Sequence, residues 1–498
     1  MRGASLLRFV GAALTLAVPA VPAAPASRPN IVIFIADDLS WHDVACFGGP
    51  TDAKTPHLDR LAREGMKFTG FYSPASVCSP TRQALLTGLY PVRSGAYPNH
   101  AVVRAGVRSL PHHLKPLGYR TASFGKTHYG PAAAFPFDLK VAMTSGGAAA
   151  PASETKAGGE DAEGGFLDFP ALERFIAADS RQPFCAYLAS HEPHGPWNQG
   201  NSAAYDPAKL TIPPYLVDTP ETRQALSAYY AEVSMLDEQV GTVMRALEKA
   251  GQADNTLFLF FSEQGSGVPH AKWTLYNPGI RVAAIARWPA RIKAGGENPA
   301  LVQYVDVLPT LIEAAGGDLA KADPGCPDTA GNRGFDGRSF LALLLGQSTR
   351  HRDHVFAQHT TRGIIQGSEA YASRAVFDGR WKLIANLHAG EGFSNVIVNA
   401  PILQSWRRLG QRGDAFAAEQ AARYVKRPPL ELYDLQTDPW ELSNVAARLE
   451  NSAVLATLRA RLDAWMKQQG DAGDATERQA LDHQAGNRAA GKEKKSKK

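Results

Sequence analysis

Four short, continuous apolar runs stand out in the first half of the chain. They cover residues 30–36, 119–124, 183–190 and 256–261. None of them alternates between apolar and polar positions, and each is bounded by polar or turn-forming residues. Such runs are typical of strands that are buried on both faces of a parallel sheet. The pattern therefore predicts four strands of this kind.

Helix-like stretches follow or separate these runs. Residues 56–65 have a proline at the start and a glycine at the end, and the amphipathic stretches at 221–250 and 303–315 are longer. Strands that alternate with helices favour an α/β layered domain. We therefore predict a mixed, mostly parallel sheet flanked by helices.

The pattern changes after about residue 320. A turn-rich segment comes first, and the later elements resemble an antiparallel sheet with one helix, since two apolar stretches are joined by an Asp-Gly turn. We therefore expect a smaller C-terminal subdomain. Its parts are a loop at 323–337, a hairpin at 375–386, a strand at 430–435 and a helix at 451–469.

The first 26 residues have the layout of a secretory signal. Arg2 and Arg8 flank a short start, an apolar run covers residues 9–18, and small residues continue to Ala26. The alternative is an N-terminal anchor, but the run is too short to cross a bilayer comfortably. We expect an exported protein that is not an integral membrane protein. The chain contains no Asn-X-Ser/Thr sequon, which favours the bacterial periplasm or the cell exterior.

Composition supports a packed globular protein and gives no sign of nucleic-acid binding. The 498 residues are 44% hydrophobic, and the net charge is +5. The lysine-rich end and the two N-terminal arginines carry more than the whole of that excess, so no basic face is implied. The predicted division is a signal at 1–26, a catalytic α/β domain at 27–350, the subdomain at 351–470, and a disordered basic tail at 471–498.

Charged and imidazole groups follow each of the four predicted strands. In an open α/β sheet, chemistry is placed at the carboxyl ends of the strands. Polar residues after a single strand are typical of a solvated turn, and an aspartate pair alone is typical of a helix or turn cap. Charged or imidazole groups after all four strands favour a functional site. The residues are Asp37-Asp38, Lys126 and His128, His191 and His194, and Glu263-Gln264.

The segment Cys78-Ser79-Pro80-Thr81-Arg82 is the most specific local feature. The residues after it are predicted to be helical, with Pro80 in the first turn. Cys78 then lies at a helix N-terminus, where backbone N–H groups attract anions. An ordinary thiol at a capped helix is the simpler interpretation of this segment on its own.

Taken together, these segments resemble the formylglycine-dependent type I sulfatases. The resemblance runs from residue 29 to about residue 446 and implies an alkaline-phosphatase-like core. Its marks are CSPTR at 78–82, GKTH at 125–128, HEPH at 191–194, AKWT at 271–274, ELYDL at 431–435, and Asp438-Pro439 with Asn444.

The resemblance implies that Cys78 is oxidised to Cα-formylglycine by a formylglycine-generating enzyme. The hydrated aldehyde provides two hydroxyls, of which one attacks sulfur and the other later collapses to expel sulfate. A thiol or a serine lacks that second step. By the same resemblance, Arg82 orients position 78, and Lys126 and Lys272 grip the sulfate.

Histidines are implied in the proton transfers. His128 takes the proton from the remaining hydroxyl, and His191, together with Lys272, protonates the leaving group. An imidazole suits either transfer because its ordinary pKa is near neutrality. His194 is a candidate for substrate binding, with a loop or core histidine as the equal alternative. The sequence does not rank the remaining histidines, including His42, His100, His112 and His113.

A divalent cation is also implied, held by position 78 and by oxygen-bearing side chains. Asp37, Asp38, Glu263 and Gln264 suit Ca²⁺, and suit Mg²⁺ less well. The family's usual second pair is Asp followed by Asn or His, so Glu263-Gln264 is a departure. It indicates either a variant site or an inactive relative, and the other intact motif residues favour the variant site.

The expected reaction is hydrolysis of a sulfate ester or sulfamate on a sulfated sugar or glycosaminoglycan fragment. The segment from Glu263 to Gly279 is similar to that of N-sulfoglucosamine sulfohydrolase-like bacterial sulfatases, and Trp197 and Trp273 are candidates for stacking on a sugar ring. Two alternatives stay open. One is a phosphodiesterase or phosphonate monoester hydrolase of the same superfamily, and the other is a non-catalytic glycan-binding relative.

Overall fold

The computed structural model of the protein describes residues 28–144 and 165–484. The signal predicted at 1–26 and the lysine-rich end beyond residue 484 lie outside these ranges. No helix within them combines the length and apolar character that crossing a bilayer requires.

The strands of the described ranges form three sheets. In chain order they are β1 (Asn30–Ala36), β2 (Met66–Phe68), β3 (Phe71–Tyr72), β4 (Arg120–Gly125), β5 (Leu139–Val141), β6 (Phe184–Ala189), β7 (Thr256–Ser262), β8 (Ala284–Arg287), β9 (Gly296–Asn298), β10 (Val302–Gln303), β11 (Val355–Thr360), β12 (Ala372–Phe377), β13 (Trp381–Asn386) and β14 (Leu430–Asp434).

The largest sheet has eight strands in the order β5-β4-β6-β1-β7-β8-β2-β9. Its first five strands in that order are parallel, and β8 is antiparallel to both of its neighbours. The four strands predicted from the apolar runs are β1, β4, β6 and β7, and they lie side by side at the centre. The predicted mixed, mostly parallel sheet is confirmed.

Both faces of this sheet are covered, which is why its central strands are apolar throughout. Val32 and Phe34 of β1 pack into one core, whereas Ile33 and Ile35 pack into the other. Side chains alternate between the two faces of a strand, so a continuous apolar run serves both cores at once.

Helices line both cores. The α-helices are α1 (Pro56–Glu64), α2 (Cys78–Thr87), α3 (Pro91–Ser94), α4 (Leu110–Leu114), α5 (Phe169–Ala177), α6 (Pro220–Lys249), α7 (Asn277–Ile280), α8 (Val307–Ala314), α9 (Leu341–Leu344), α10 (Pro401–Gln411), α11 (Ala415–Val425), α12 (Ser452–Gln469) and α13 (Asp474–Arg478). Helices α1, α5 and α6 contribute to the first core, and α2, α4 and α8 contribute to the second.

The smaller sheet is antiparallel, in the order β11-β12-β13-β14. The predicted hairpin is β12 and β13, and the predicted strand is β14. One face of this sheet packs on α12 through Leu458 and Trp465. The other face packs on Tyr72 and Tyr276, which belong to the larger α/β part. The predicted antiparallel subdomain is therefore confirmed, and its sheet is buried on both sides.

The prediction of a disordered tail is wrong for residues 471–484. This segment contains α13, and Asp471 forms a buried ion pair with Arg374 of β12. Glu477 is fully buried and accepts a hydrogen bond of 2.5 Å from the Thr360 hydroxyl. Polar composition suggested disorder, but these polar groups have buried partners distant in sequence. That pairing satisfies them inside the protein.

Candidate active site

The carboxyl ends of the four central strands meet at one edge of the large sheet. Strands β4, β6, β1 and β7 are adjacent and parallel, with Gly125 opposite Ala189 and Ala36 opposite Ser262. The residues that follow these ends are the charged and imidazole groups noted in the sequence. The structure therefore brings together the side chains that the strand pattern singled out.

Cys78 lies at the centre of this group, as the first residue of α2. Its side chain is buried, and its thiol lies 3.4 Å from Asp37 Oδ1 and 3.3 Å from the Gln264 amide nitrogen. Burial, together with the neighbouring charges of Asp37 and Glu263, raises the pKa of the Cys78 thiol. The unmodified thiol is therefore neutral at ordinary pH and is a weak nucleophile.

Arg82 lies one turn further along α2 and is fully buried. Its Nε donates to Glu263 Oε1 at 2.6 Å, and its Nη2 donates to Glu263 Oε2 at 3.3 Å. Its Nη1 reaches the backbone carbonyl of Lys126 at 3.4 Å. Arg82 thus holds the ends of β7 and β4 together from the helix that carries position 78.

Two lysines neutralise the aspartate pair after β1. The Lys126 ammonium donates to Asp37 Oδ2 at 2.5 Å, and the Lys272 ammonium donates to Asp38 Oδ2 at 2.6 Å. Burial opposes the charge on both lysines, but the acidic neighbours together outweigh it and raise the pKa of each, with Asp37 the strongest neighbour of Lys126 and Asp38 the strongest neighbour of Lys272. Both ammonium groups therefore stay charged beside position 78.

The carboxyl groups respond unequally to this crowding. Burial favours the neutral form of Asp37, but Lys126, His194, Glu263 and Arg82 together outweigh it and hold the pKa of Asp37 well below its usual range. Burial raises the pKa of Glu263 well above its usual value, and the nearby Asp37 adds to the rise against the opposing Arg82. Two neighbouring carboxylates resist joint ionisation unless further positive charge is present.

The three candidate histidines are neutral in this environment. The His191 and His194 rings lie 5.1 Å apart, and His194 Nε2 is 3.5 Å from Asp38 Oδ2. Burial lowers the pKa of His191, while burial and Lys272 lower the pKa of His194 to about 4. Burial, Lys126 and Arg82 lower the pKa of His128. Each imidazole therefore has an unprotonated ring nitrogen at neutral pH, and the lowered pKa makes it a weak base until a bound anion or substrate changes its surroundings.

Four ligand atoms, one each from Asp37, Asp38, Cys78 and His194, lie within 4.8 Å of one another. Beside them, the carbonyl oxygen of Gln264 is buried and has no hydrogen-bond partner among the described residues. A buried acceptor of this kind carries a desolvation cost unless a ligand satisfies it. The residues present therefore fit a hard divalent cation held mainly by oxygen atoms.

This arrangement agrees only partly with the predicted metal set. Asp37, Asp38, Cys78 and Gln264 converge as expected. Glu263 instead directs both of its oxygens at Arg82. The sequence assigned His194 to substrate binding, but the structure places one of its ring nitrogens among the four clustered ligand atoms. Charge explains the difference, because a buried guanidinium needs a carboxylate partner.

Asn99 lies beside position 78 and His100 lies beside His128, although no strand-end motif marks either residue. The side-chain oxygen Oδ1 of Asn99 accepts a hydrogen bond from the Ser79 backbone N–H at 3.4 Å. The His100 ring lies 5.2 Å from the His128 ring, at an angle of 80°. Among the unranked histidines, His42 is instead buried against Tyr215. No spacing in the sequence distinguishes these outcomes.

A buried cysteine among paired lysines, arginine and carboxylates, at the carboxyl edge of a parallel sheet, defines a hydrolase-type centre for small anions. The family model for sulfatases matches residues 29–317. The chain therefore belongs to the sulfatase family, whose members are sulfuric ester hydrolases.

Similar proteins extend this likeness over most of the chain. An ulvan-active sulfatase of Formosa agariphila is 29% identical, over 89% of this chain and 81% of its own length. The human N-sulphoglucosamine sulphohydrolase is 28% identical, over 88% of this chain and 90% of its own. A protein solved in complex with D-glucosamine-2-N,6-O-disulfate shares the fold, with a TM-score of 0.64 and 19% identity, over 91% of this chain and all of its own. The predicted alkaline-phosphatase-like fold class is thereby confirmed.

Proposed function

We propose that this sulfatase hydrolyses a sulfate ester or sulfamate on a sulfated sugar, with position 78 as Cα-formylglycine and a bound divalent cation. The observation that carries the proposal is the convergence of Arg82, Lys126 and Lys272 on the buried Cys78. Three fixed positive charges around one polar centre favour a small, highly charged anion.

The state of Cys78 supports its modification. Its raised thiol pKa argues against thiolate chemistry, so the encoded side chain is a weak nucleophile in this position. When formed, a hydrated formylglycine supplies one hydroxyl for attack on sulfur and a second whose deprotonation releases sulfate. A formylglycine-generating enzyme is the maturation partner that this proposal requires.

Asp37, Asp38, Gln264 and position 78 would hold the cation, with His194 beside them. Ca²⁺ suits this oxygen-rich set better than Mg²⁺, since its coordination is more flexible. When bound, the cation supplies positive charge that polarises the sulfate and the nucleophile. Lys126, Lys272 and Arg82 supply at least as many positive charges as Asp37, Asp38 and Glu263 supply negative ones, whichever protonation state Glu263 has. A bound dication would therefore leave net positive charge for the substrate.

The remaining side chains bind the anion and move protons. Lys126 and Lys272 hold sulfate oxygens, while Arg82 fixes α2 relative to the strand ends. The neutral His128 accepts the proton of the second hydroxyl. His191 protonates the leaving atom, because a bound anion beside it raises the pKa of its imidazole.

A sulfated sugar, such as a glycosaminoglycan fragment, is the proposed substrate. Support comes from the relatives, which include a sulfatase active on ulvan and a sulfohydrolase of N-sulphoglucosamine. Trp197 supplies an aromatic surface next to the HEPH segment, since its indole N–H is bonded to the Pro193 carbonyl at 2.9 Å. Such a ring suits stacking on a sugar.

The proposal includes export. Residues 1–26 would act as a cleaved signal and direct the protein to the bacterial periplasm or the cell exterior. N-terminal sequencing of the protein secreted or fractionated from its natural host tests this. A mature N-terminus between residues 20 and 27 is expected, and an intact residue 1 in the cytoplasm contradicts it.

Turnover of defined sulfated saccharides, including an N-sulfated glucosamine, tests the reaction and the substrate class. Paired aryl sulfate and aryl phosphonate esters should be compared in the same experiment. We expect sulfate release from at least one saccharide and a preference for the aryl sulfate. A phosphonate preference indicates a phosphonate monoester hydrolase, and binding without turnover indicates a glycan-binding relative.

Position 78 is tested directly by mass spectrometry and substitution. The peptide that carries residue 78, purified from the natural host, should have the mass of formylglycine. Cys78→Ala should fold and lose turnover, and Cys78→Ser is the matched variant that keeps one hydroxyl. An unmodified thiol in a fully active enzyme contradicts the proposal.

A further inference from the structure

A loop at residues 99–102 connects the backbone next to position 78 with the His128 ring. The side-chain oxygen Oδ1 of Asn99 accepts a hydrogen bond from the Ser79 N–H at 3.4 Å, and the Asn99 side-chain Nδ2 donates to His100 Nε2 at 3.0 Å. The edge of the His100 ring then contacts His128, with centroids 5.2 Å apart. These contacts run from the start of α2 to the proposed proton acceptor.

His100 adopts a backbone conformation that histidine rarely takes. Its φ is 59°, in the left-handed region, and its side chain is exposed. Non-glycine residues in this region cost free energy and persist where the surroundings hold them there. Glycine would adopt the same backbone conformation at position 100 without strain. The exposed position therefore does not by itself account for a histidine there.

The C-terminal segment supplies the surroundings that hold this loop. The Gln484 side-chain amide donates to the backbone carbonyl of Asn99 at 2.8 Å, and Gln484 also pairs with Ala101 in a β-bridge. The Val102 N–H donates to the His483 carbonyl at 3.2 Å. The segment that sequence composition assigned to a tail therefore clamps the loop on both sides of His100.

Gly363 closes the clamp from the smaller sheet's side. A Cβ atom at this position would lie 2.3 Å from the side-chain Nε2 of Gln484 and 2.6 Å from the backbone carbonyl oxygen of Asn99. The backbone of residue 363 therefore approaches both partners as closely as glycine alone allows. Three segments distant in sequence meet at this point.

We propose that His100 is a positioning residue for His128, and that residues 480–484 brace the loop that carries it. The His100 ring limits rotation of the neighbouring imidazole, so that His128 faces position 78. Asn99 ties the same loop to the start of α2, which keeps the two groups in a fixed relation. This inference rests on the proposed role of His128.

His100→Gly tests the proposal, because glycine removes the ring and also relieves the backbone strain. We expect an unfolding temperature equal to or above that of the wild type. On a small aryl sulfate, we expect KM to stay unchanged and kcat to fall by about 10- to 100-fold, the scale for outer partners that orient a functional side chain. A purely structural role predicts no fall in kcat.

Gln366→Gly is the matched control. Gln366 is also exposed and left-handed, with a φ of 55°, and it lies outside the segment that carries His100. Its kcat should equal that of the wild type. If kcat falls as far in this variant as in His100→Gly, the effect is one of loop conformation and the proposal is overturned.

Gln484→Ala tests the brace separately. Like His100→Gly, this variant should lower kcat and leave KM unchanged. The double variant should have the same kcat as His100→Gly alone. Multiplicative losses would mean independent effects and would overturn the role of the brace.

Cys78→Ala, measured in parallel, separates this inference from the proposed function. Activity in Cys78→Ala removes the proposed function itself. An inactive Cys78→Ala beside a fully active His100→Gly leaves the proposed function standing and refutes the positioning role alone.

Discussion

Arg82 engages both carboxylate oxygens of Glu263, at 2.6 Å from Nε to Oε1 and 3.3 Å from Nη2 to Oε2. Both side chains are fully buried. The contact joins the helix that carries position 78 to the end of the central strand β7. It also gives Glu263 a different task from the metal ligation expected from its place in the sequence.

Glu263→Gln should destabilise the protein strongly. The substitution preserves shape but replaces one of the two oxygens that accept from Arg82 with an amide group that cannot accept, and breaking a buried pair of this kind costs about 3–5 kcal/mol. Chemical denaturation, monitored by intrinsic fluorescence, measures the free energy of unfolding.

The matched control is Asp463→Asn, which breaks the exposed Arg459–Asp463 pair within α12. Exposed pairs contribute little to stability, so its effect should be much smaller. Equal effects of the two substitutions would contradict a structural role for the Arg82–Glu263 pair.

Ca²⁺ should raise the unfolding temperature of the purified protein through Gln264. A ligand that binds the folded state alone adds about 2.7 kcal/mol of stability at one hundred times its dissociation constant. Gln264→Leu removes the unpartnered carbonyl oxygen and should reduce the Ca²⁺-dependent rise in unfolding temperature.

Calorimetric titration of Ca²⁺ into both proteins gives a second measurement that is independent of turnover. Mg²⁺ serves as the comparison cation and should give the smaller rise. A Ca²⁺ response that is equal in the wild type and in Gln264→Leu would exclude this side chain from the metal site.

The site residues that follow strands can be predicted from the sequence, whereas those on loops cannot, and the reason is physical. Val32 and Phe34 belong to an apolar run that must be buried on both faces, so the strand and its exit at Asp37 follow from local pattern. The contact of Asn99 with Gln484 joins polar loop residues far apart in the chain, and no periodicity encodes it.

Roles within the site are also set by neighbours that the sequence does not reveal. Their place after a strand and the family resemblance predict both Glu263 and Gln264 as metal ligands, yet Glu263 turns to Arg82. Similarly, Asp471 lies in a polar segment but pairs with the fully buried Arg374. A buried charge selects its partner in three dimensions, so such assignments need the folded chain.

Stability should rise with pH between about 3 and 6.5 through His359. This histidine is buried, neither ring nitrogen has a hydrogen-bond partner among the described residues, and burial lowers its pKa to about 3. In this interval the unfolded state binds the proton and the folded state does not. Each such group therefore contributes a slope of about 1.4 kcal/mol per pH unit.

His359→Leu should remove that slope while keeping an apolar side chain in the core. The free energy of unfolding, measured by denaturant titration at several pH values, should depend less steeply on pH in the variant. A variant slope equal to that of the wild type would contradict burial of a neutral imidazole at this position.

Stability should fall as the pH rises toward 8, because of a pair of buried carboxyl groups beside the site. Burial, together with the neighbouring Glu232, raises the pKa of Glu192 to about 8. Glu232 in turn accepts the Gln199 N–H at 3.0 Å, so the pair anchors the loop that carries His191. The folded state holds a proton that the unfolded state has lost above its ordinary pKa of about 4.5.

The stabilisation from this proton is therefore complete below about pH 4.5 and is lost as the pH passes through about 8. Glu192→Gln replaces the shared proton with an amide that donates at every pH, so its free energy of unfolding should not fall over this range. Glu238→Gln, on the exposed side of α6, controls for the loss of one negative charge. If the free energy of unfolding of Glu192→Gln instead falls between pH 5 and 8.5 as steeply as that of the wild type, another group holds the proton. In that case the protonated Glu192–Glu232 pair does not anchor the loop.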